Sequence, residues 1–127
     1  MTQVVWKSEP DEHDYPAAAS YLSLVATPDI VEATVKSLQA AEVTHFKAKD
    51  IMRSSRLDLL PANDHHVSKD LAKVKAGTPL SPVLLVRGSL DRGFPLEIAD
   101  GYHRVCASYH LDENLDVPCR IVDLAMN

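Results

Sequence analysis

The stretch from Pro82 to Arg104, PVLLVRGSLDRGFPLEIADGYHR, constrains this chain more than any other. Val83, Leu84, Leu85 and Val86 form an unbroken apolar run, short enough for a strand and apolar enough to require cover on both faces. A second run, Leu96 to Ala99, closes at Asp100-Gly101, after which a helix starts at Tyr102 or His103. So abrupt a change from strand to helix needs a positive φ or a close backbone approach, and Gly101 permits either. Asp100 is placed to cap the exposed N–H groups of that helix. The same groups, at the positive end of the helix dipole, can instead face an anion. Arg104 adds a planar fork for phosphate or carboxylate oxygens, and His103 adds a ring that titrates near neutral pH. Asp-Gly is also a common turn pair and Asp a common N-cap, so five residues by themselves are equally compatible with an ordinary helix start.

Three segments in order, LSPVLLVRG from Leu80, LEIADGYHRVCASY from Leu96 and VPCRIV from Val117, resemble the ParB/sulfiredoxin-like superfamily. The second half of the chain carries the resemblance, and Phe46 to Ala76 follows it more loosely. It implies an α+β fold, a mixed sheet flanked by helices, with the turn and helix start binding the phosphates of a nucleotide. Carried over, phosphate contact falls to Gly101, Tyr102, His103 and Arg104, with Arg53 as a second-choice anion ligand. His103 becomes the acid or base, and Asp100 orients a hydroxyl or Mg²⁺. The implied ligand is a nucleoside tri- or diphosphate with Mg²⁺. Relatives that phosphorylate free serine carry Asp-Gly-His-His-Arg, from which Asp100-Gly101-Tyr102-His103-Arg104 differs only at Tyr102. Sulfiredoxins place their catalytic cysteine at the position of Tyr102, and a phenol cannot replace a thiolate in that chemistry. The helix-turn-helix domain that follows in ParB is not expected here, since the sequence ends at Asn127.

A chain of 127 residues suits one domain, read as an N-terminal arm and helical extension over residues 1–42 and a core over residues 43–127. The net charge of -5 disfavours nucleic acid as the main partner. Basic residues nevertheless collect in the middle, with Lys47, Lys49, Arg53, Arg56, Lys69, Lys73 and Lys75 between Thr44 and Lys75. No apolar run approaches the roughly 20 residues of a membrane span, and the N-terminus lacks a signal-peptide pattern, so the expected location is the cytoplasm. Cys106 and Cys119 match neither a redox nor a zinc spacing and read as buried apolar residues. Cys106 lies one turn inside the helix, where packing opposes the thiolate that the helix N-terminus favours.

Along the chain, Val4 to Trp6 and the acidic run Glu9 to Asp14 read as a loose arm or edge segment. Tyr15 to Val25 reads as a helix with Ala17, Tyr21, Leu24 and Val25 on one face. Thr27-Pro28 starts a second helix, capped by Thr27, whose stripe of Ile30, Val31, Val35 and Leu38 suits core packing or a partner. A homodimer interface is one use for this pair. Val43 to Lys47 reads as a strand, and Ala48 to Ser55 as a helix with Lys49, Arg53 and Arg56 along one side. Val67 to Ala76 is a helix begun from a loop at Asp64 or His65 and closed by Gly77. Adjacent His65-His66 completes no metal-ligand set, so no metal site is expected. Two kinds of function remain, a nucleotide-dependent enzyme, either phosphotransferase or nucleotide hydrolase, and a non-catalytic nucleotide-sensing or protein-interaction module, while the charge disfavours a DNA-associated ParB-like domain.

Overall fold

The computed structural model describes residues 3–125. Helices α1 (Asp14–Leu22) and α2 (Pro28–Ala40) precede strand β1 (Thr44–Lys47), then α3 (Ala48–Ser55), α4 (His65–Lys75), β2 (Val83–Val86), β3 (Glu97–Asp100), α5 (Tyr102–Leu111) and β4 (Asp116–Val122). The fold is α+β. Its four strands lie in the order β1-β4-β2-β3, with β2 parallel to β4 and the other two pairings antiparallel.

Side-chain alternation along the central strands sends residues to two separate cores. Val83 and Leu85 of β2 pack with Ile98, Val117 and Cys119 against Ile51 of α3, Val67 of α4 and Val105 of α5. Leu84 and Val86 face the other way with Ala99, onto Ala18 and Leu22 of α1 and Val31 and Leu38 of α2. The sheet is therefore covered on both faces, as the VLLV run requires. The N-terminal pair supplies the second cover.

That placement corrects several expectations for the extension. The buried face of α1 is Asp14, Ala18 and Leu22, while Tyr21, Leu24 and Val25 are exposed. Ala18 and Leu22 lie one residue on from Ala17 and Tyr21, so the inward stripe sits about 100° further round the axis, and Leu24 and Val25 fall beyond the end of the helix. The apolar stripe of α2, read as suited to core packing or a partner, does the first: it packs on the chain's own sheet through Val31, Thr34 and Leu38. Thr27 occupies the N-cap position without capping, since its hydroxyl donates to Asp29. Of the two readings of the arm, loose or an edge segment, the second fits: Trp6 bridges Leu80 in parallel, Lys7 N–H donates to the Leu80 carbonyl at 2.8 Å, Leu80 N–H to that of Val5 at 2.9 Å, and Val4 is buried. Arg120 of β4 fastens both helices by donating to the Tyr15 hydroxyl and the Gln39 carbonyl, each at 2.8 Å.

The α4 helix closes at Gly77 as expected but starts two residues before the expected Val67, taking His65 and His66 into its first turn. Asp64 is the N-cap, accepting from the amides of His66 and Val67. At the other end the Gly77 and Thr78 amides donate to the carbonyls of Val74 and Lys73, a Schellman closure with Gly77 at φ 77°. Among the described residues no helix is long and apolar enough to cross a membrane.

Candidate functional site

At the C-terminal end of β3 the chain turns through Gly101, φ 110°, straight into α5. A Cβ on this residue would lie 2.4 Å from Cγ1 of Val83, so both a positive φ and a close approach require glycine. No side chain caps α5. The Asp100 carboxylate, expected as the cap, turns instead to Arg104, with 2.6 Å between Oδ2 and Nη2. An ion pair with a partly buried guanidinium is stronger than a hydrogen bond to an exposed amide, which accounts for the choice.

Arg104 is the centre of a wider junction. Its Nη1 donates to the carbonyl oxygen and hydroxyl of Ser81 and lies 3.7 Å from Oδ2 of Asp14. The Ser81 hydroxyl in turn donates to Asp14 at 2.9 Å. The fork expected to reach outward for phosphate is thus occupied by three segments of the protein. Burial pushes the Asp100 carboxyl up to about 6 against the pull of Arg104, and the Asp14 carboxylate adds to the rise.

Beside this junction lies an open cavity of about 630 Å³. Asp100, Gly101, His103 and Arg104 form one wall, and His66, Lys69, Asp70 and Lys73 of α4 face them. The imidazoles of His66 and His103 stand with centroids 4.6 Å apart. Lys69 and Lys73 form no ion pair among the described residues. Burial raises the Asp70 carboxyl from its ordinary value, against the pull of Lys73. Lys7, Asp11 and His13 complete the rim, with Lys7 Nζ 2.7 Å from Asp11. Asp11, His13 and Asp14 each offer one ligand atom, all within 4.8 Å of one another. That grouping was not expected from the sequence, where the acidic run reads as part of a loose arm or edge segment.

Two residues assigned to the same site lie elsewhere. Tyr102 is outside the cavity lining; its hydroxyl donates to the Asp58 carbonyl and its ring packs against the main core. The first residue of a helix points around the axis from the second and third, so sharing a motif does not mean sharing a wall. Arg53 lines a different cavity, with Arg56 and Arg87, because α3 lies across the sheet face toward the opposite strand ends. Cys106 is fully buried and its thiol is pushed up by that burial.

The α4 wall was absent from the sequence assignment although its signal was present. His66, Lys69, Asp70 and Lys73 recur at i, i+3, i+4 and i+7, a polar stripe beside the apolar one of Val67, Leu71 and Val74. Asp14 left no comparable local signal. No family model, no curated protein and no solved structure matches this chain.

Proposed function

We propose that the corner between α4 and α5 binds a phosphate-bearing small molecule, a nucleoside di- or triphosphate, on a ParB/sulfiredoxin-like scaffold. The observation that carries this reading is the uncapped start of α5 beside a cavity whose facing wall presents Lys69, Lys73 and His66. Helix amides and unpaired ammonium groups are the usual complement to phosphate oxygens. Asp11 and Asp14 supply the oxygen donors that Mg²⁺ takes, and they would hold it.

In a phosphotransferase, His103 is the residue placed to carry a proton at this wall. Asp100 then acts by position, since Arg104 already holds it. The same commitment of Asp14 and Asp100 to Arg104 favours, as a second reading, a nucleotide-sensing module without turnover.

Thermal shifts with ATP and CTP, with and without Mg²⁺, test the binding. Wild type should be stabilised, and the K69Q/K73Q double variant should lose most of that stabilisation while keeping its own melting temperature. Nucleoside diphosphate released in the presence of small hydroxyl acceptors identifies an enzyme; stabilisation without release identifies a sensor. An unchanged melting temperature for wild type with both nucleotides sinks the proposal.

A further inference from the structure

We infer that a second cavity, at the opposite end of the sheet from the α4–α5 corner, takes a small amphipathic carboxylate: an apolar body carrying one anionic head. The corner lies where β2 begins and β3 ends, whereas this cavity lies beside Leu85 and Arg87 at the end of β2 and Leu96 at the start of β3. It measures about 730 Å³, in the range of cavities that enclose small organic ligands. Its floor is built from Ile51, Leu85 and Leu96, all buried, and its rim from half-exposed Phe46 and the more exposed Phe94. A floor and rim of this kind recover free energy when an apolar body displaces water from them.

The charge around this floor defines the head group. Arg53, Arg56 and Arg87 line the cavity against a single carboxylate, Asp50, in a chain whose net charge is -5. Arg87 is paired with Asp123 at 2.8 Å, and Arg56 reaches the Gly93 carbonyl at 3.4 Å. Asp50 takes Lys49 at 2.9 Å. The guanidinium of Arg53 has no hydrogen-bond or ion-pair partner among the described residues. One free guanidinium beside an apolar floor matches one monoanionic carboxylate, which it can meet with two parallel N–H donors. Arg56 also lacks an ion-pair partner among the described residues, so it is the apolar floor, which gives a strongly hydrated dianion such as phosphate nothing in return for its water, that favours a carboxylate with an apolar body.

The test uses the fluorescent probe 8-anilinonaphthalene-1-sulfonate, an arene with a single anionic group, on the folded full chain. Wild type should bind it saturably at one site. Decanoate should displace it, and decanol, which has the same chain without the charge, should do so far less well. Arg53→Gln should weaken probe and decanoate by about tenfold, the usual loss for one charged hydrogen-bonding partner. Phe94→Ser, at an exposed rim position, should weaken decanoate and leave the circular-dichroism melting curve unchanged. The K69Q/K73Q variant should bind the probe as wild type does, which separates this cavity from the phosphate corner. Equal displacement by decanol and decanoate, several nonequivalent probe sites, or full affinity in a folded Arg53→Gln variant would each overturn the inference.

Discussion

Nη1 of Arg104 lies 3.7 Å from Oδ2 of Asp14, so the first residue of α1 and the first turn of α5 meet at one guanidinium. Asp100 lies on the other arm of the same fork at 2.6 Å, and Ser81 bridges Arg104 to Asp14. The N-terminal extension is therefore joined to the DGYHR turn both through the sheet it covers and through polar contacts. A group so placed holds the candidate site in shape, and in the proposed phosphate reading contact falls to the α5 amides and the lysines of α4.

Removal of this guanidinium should be costly. Arg104→Ala leaves two carboxylates facing each other, the Asp14 side chain 7% exposed and the Asp100 side chain 20% exposed. Breaking a buried pair from one side costs about 3 kcal/mol or more, because the remaining charge has lost both its partner and its water. We expect a loss of that size in urea denaturation at neutral pH, with a smaller loss for Asp14→Asn, where Arg104 keeps Asp100. A loss under about 1 kcal/mol for Arg104→Ala, the size typical of an exposed ion pair, would contradict the junction described above.

The same junction gives a pH dependence with a definite sign. Burial, opposed by Arg104 and aided by Asp14, raises the Asp100 carboxyl to about 6 from an ordinary value of 3.8. Native protein therefore binds more protons than unfolded chain between those values, and stability falls as pH rises through that window. The contribution is fully present below about pH 4 and gone above about pH 6, and amounts to about 3 kcal/mol at most. Asp70, raised by burial, acts in the same sense, while Asp11, Asp64 and Asp91, held low by Lys7, the Val67 amide and Ser89 respectively, act in the opposite sense at still lower pH. Urea midpoints across this range should fall with pH in wild type and fall less steeply in Asp100→Asn. Parallel profiles for the two proteins would remove Asp100 from the account.

Most of the core elements were legible because their signals are local. The VLLV run, the glycine after Asp100, and Asp64 and Gly77 at the ends of α4 each state their conformation within a few residues. The candidate site was legible on one wall only. Asp14 reaches Arg104 through α1 lying on the far face of the sheet, a contact between distant segments that no window of sequence contains. The doubly apolar β2 did imply a second cover, and α1 with α2 was the only unassigned apolar pair able to supply it. Arg53 shows the converse: its type and helix were read correctly, but direction across the sheet decided which cavity it lines.

Gly101 and Gly77 separate two reasons for glycine. Both have positive φ, 110° and 77°, where an L side chain is strained. At Gly77 an added Cβ meets nothing within 4 Å, so Gly77→Ala should cost about 1 kcal/mol, the backbone cost alone. At Gly101 the same atom would lie 2.4 Å from Cγ1 and 2.8 Å from Cβ of Val83, a fully buried residue that anchors both β2 and the main core. Val83 cannot withdraw without opening that core, so overpacking adds about 1–3 kcal/mol to the backbone cost. Urea denaturation should therefore rank Gly101→Ala well below Gly77→Ala, and the double variant Gly101→Ala/Val83→Ala should regain part of the difference by vacating the contested space. If the two single variants proved equally stable, the close approach of β2 to the turn, and with it the position given to the start of α5, would have to be abandoned.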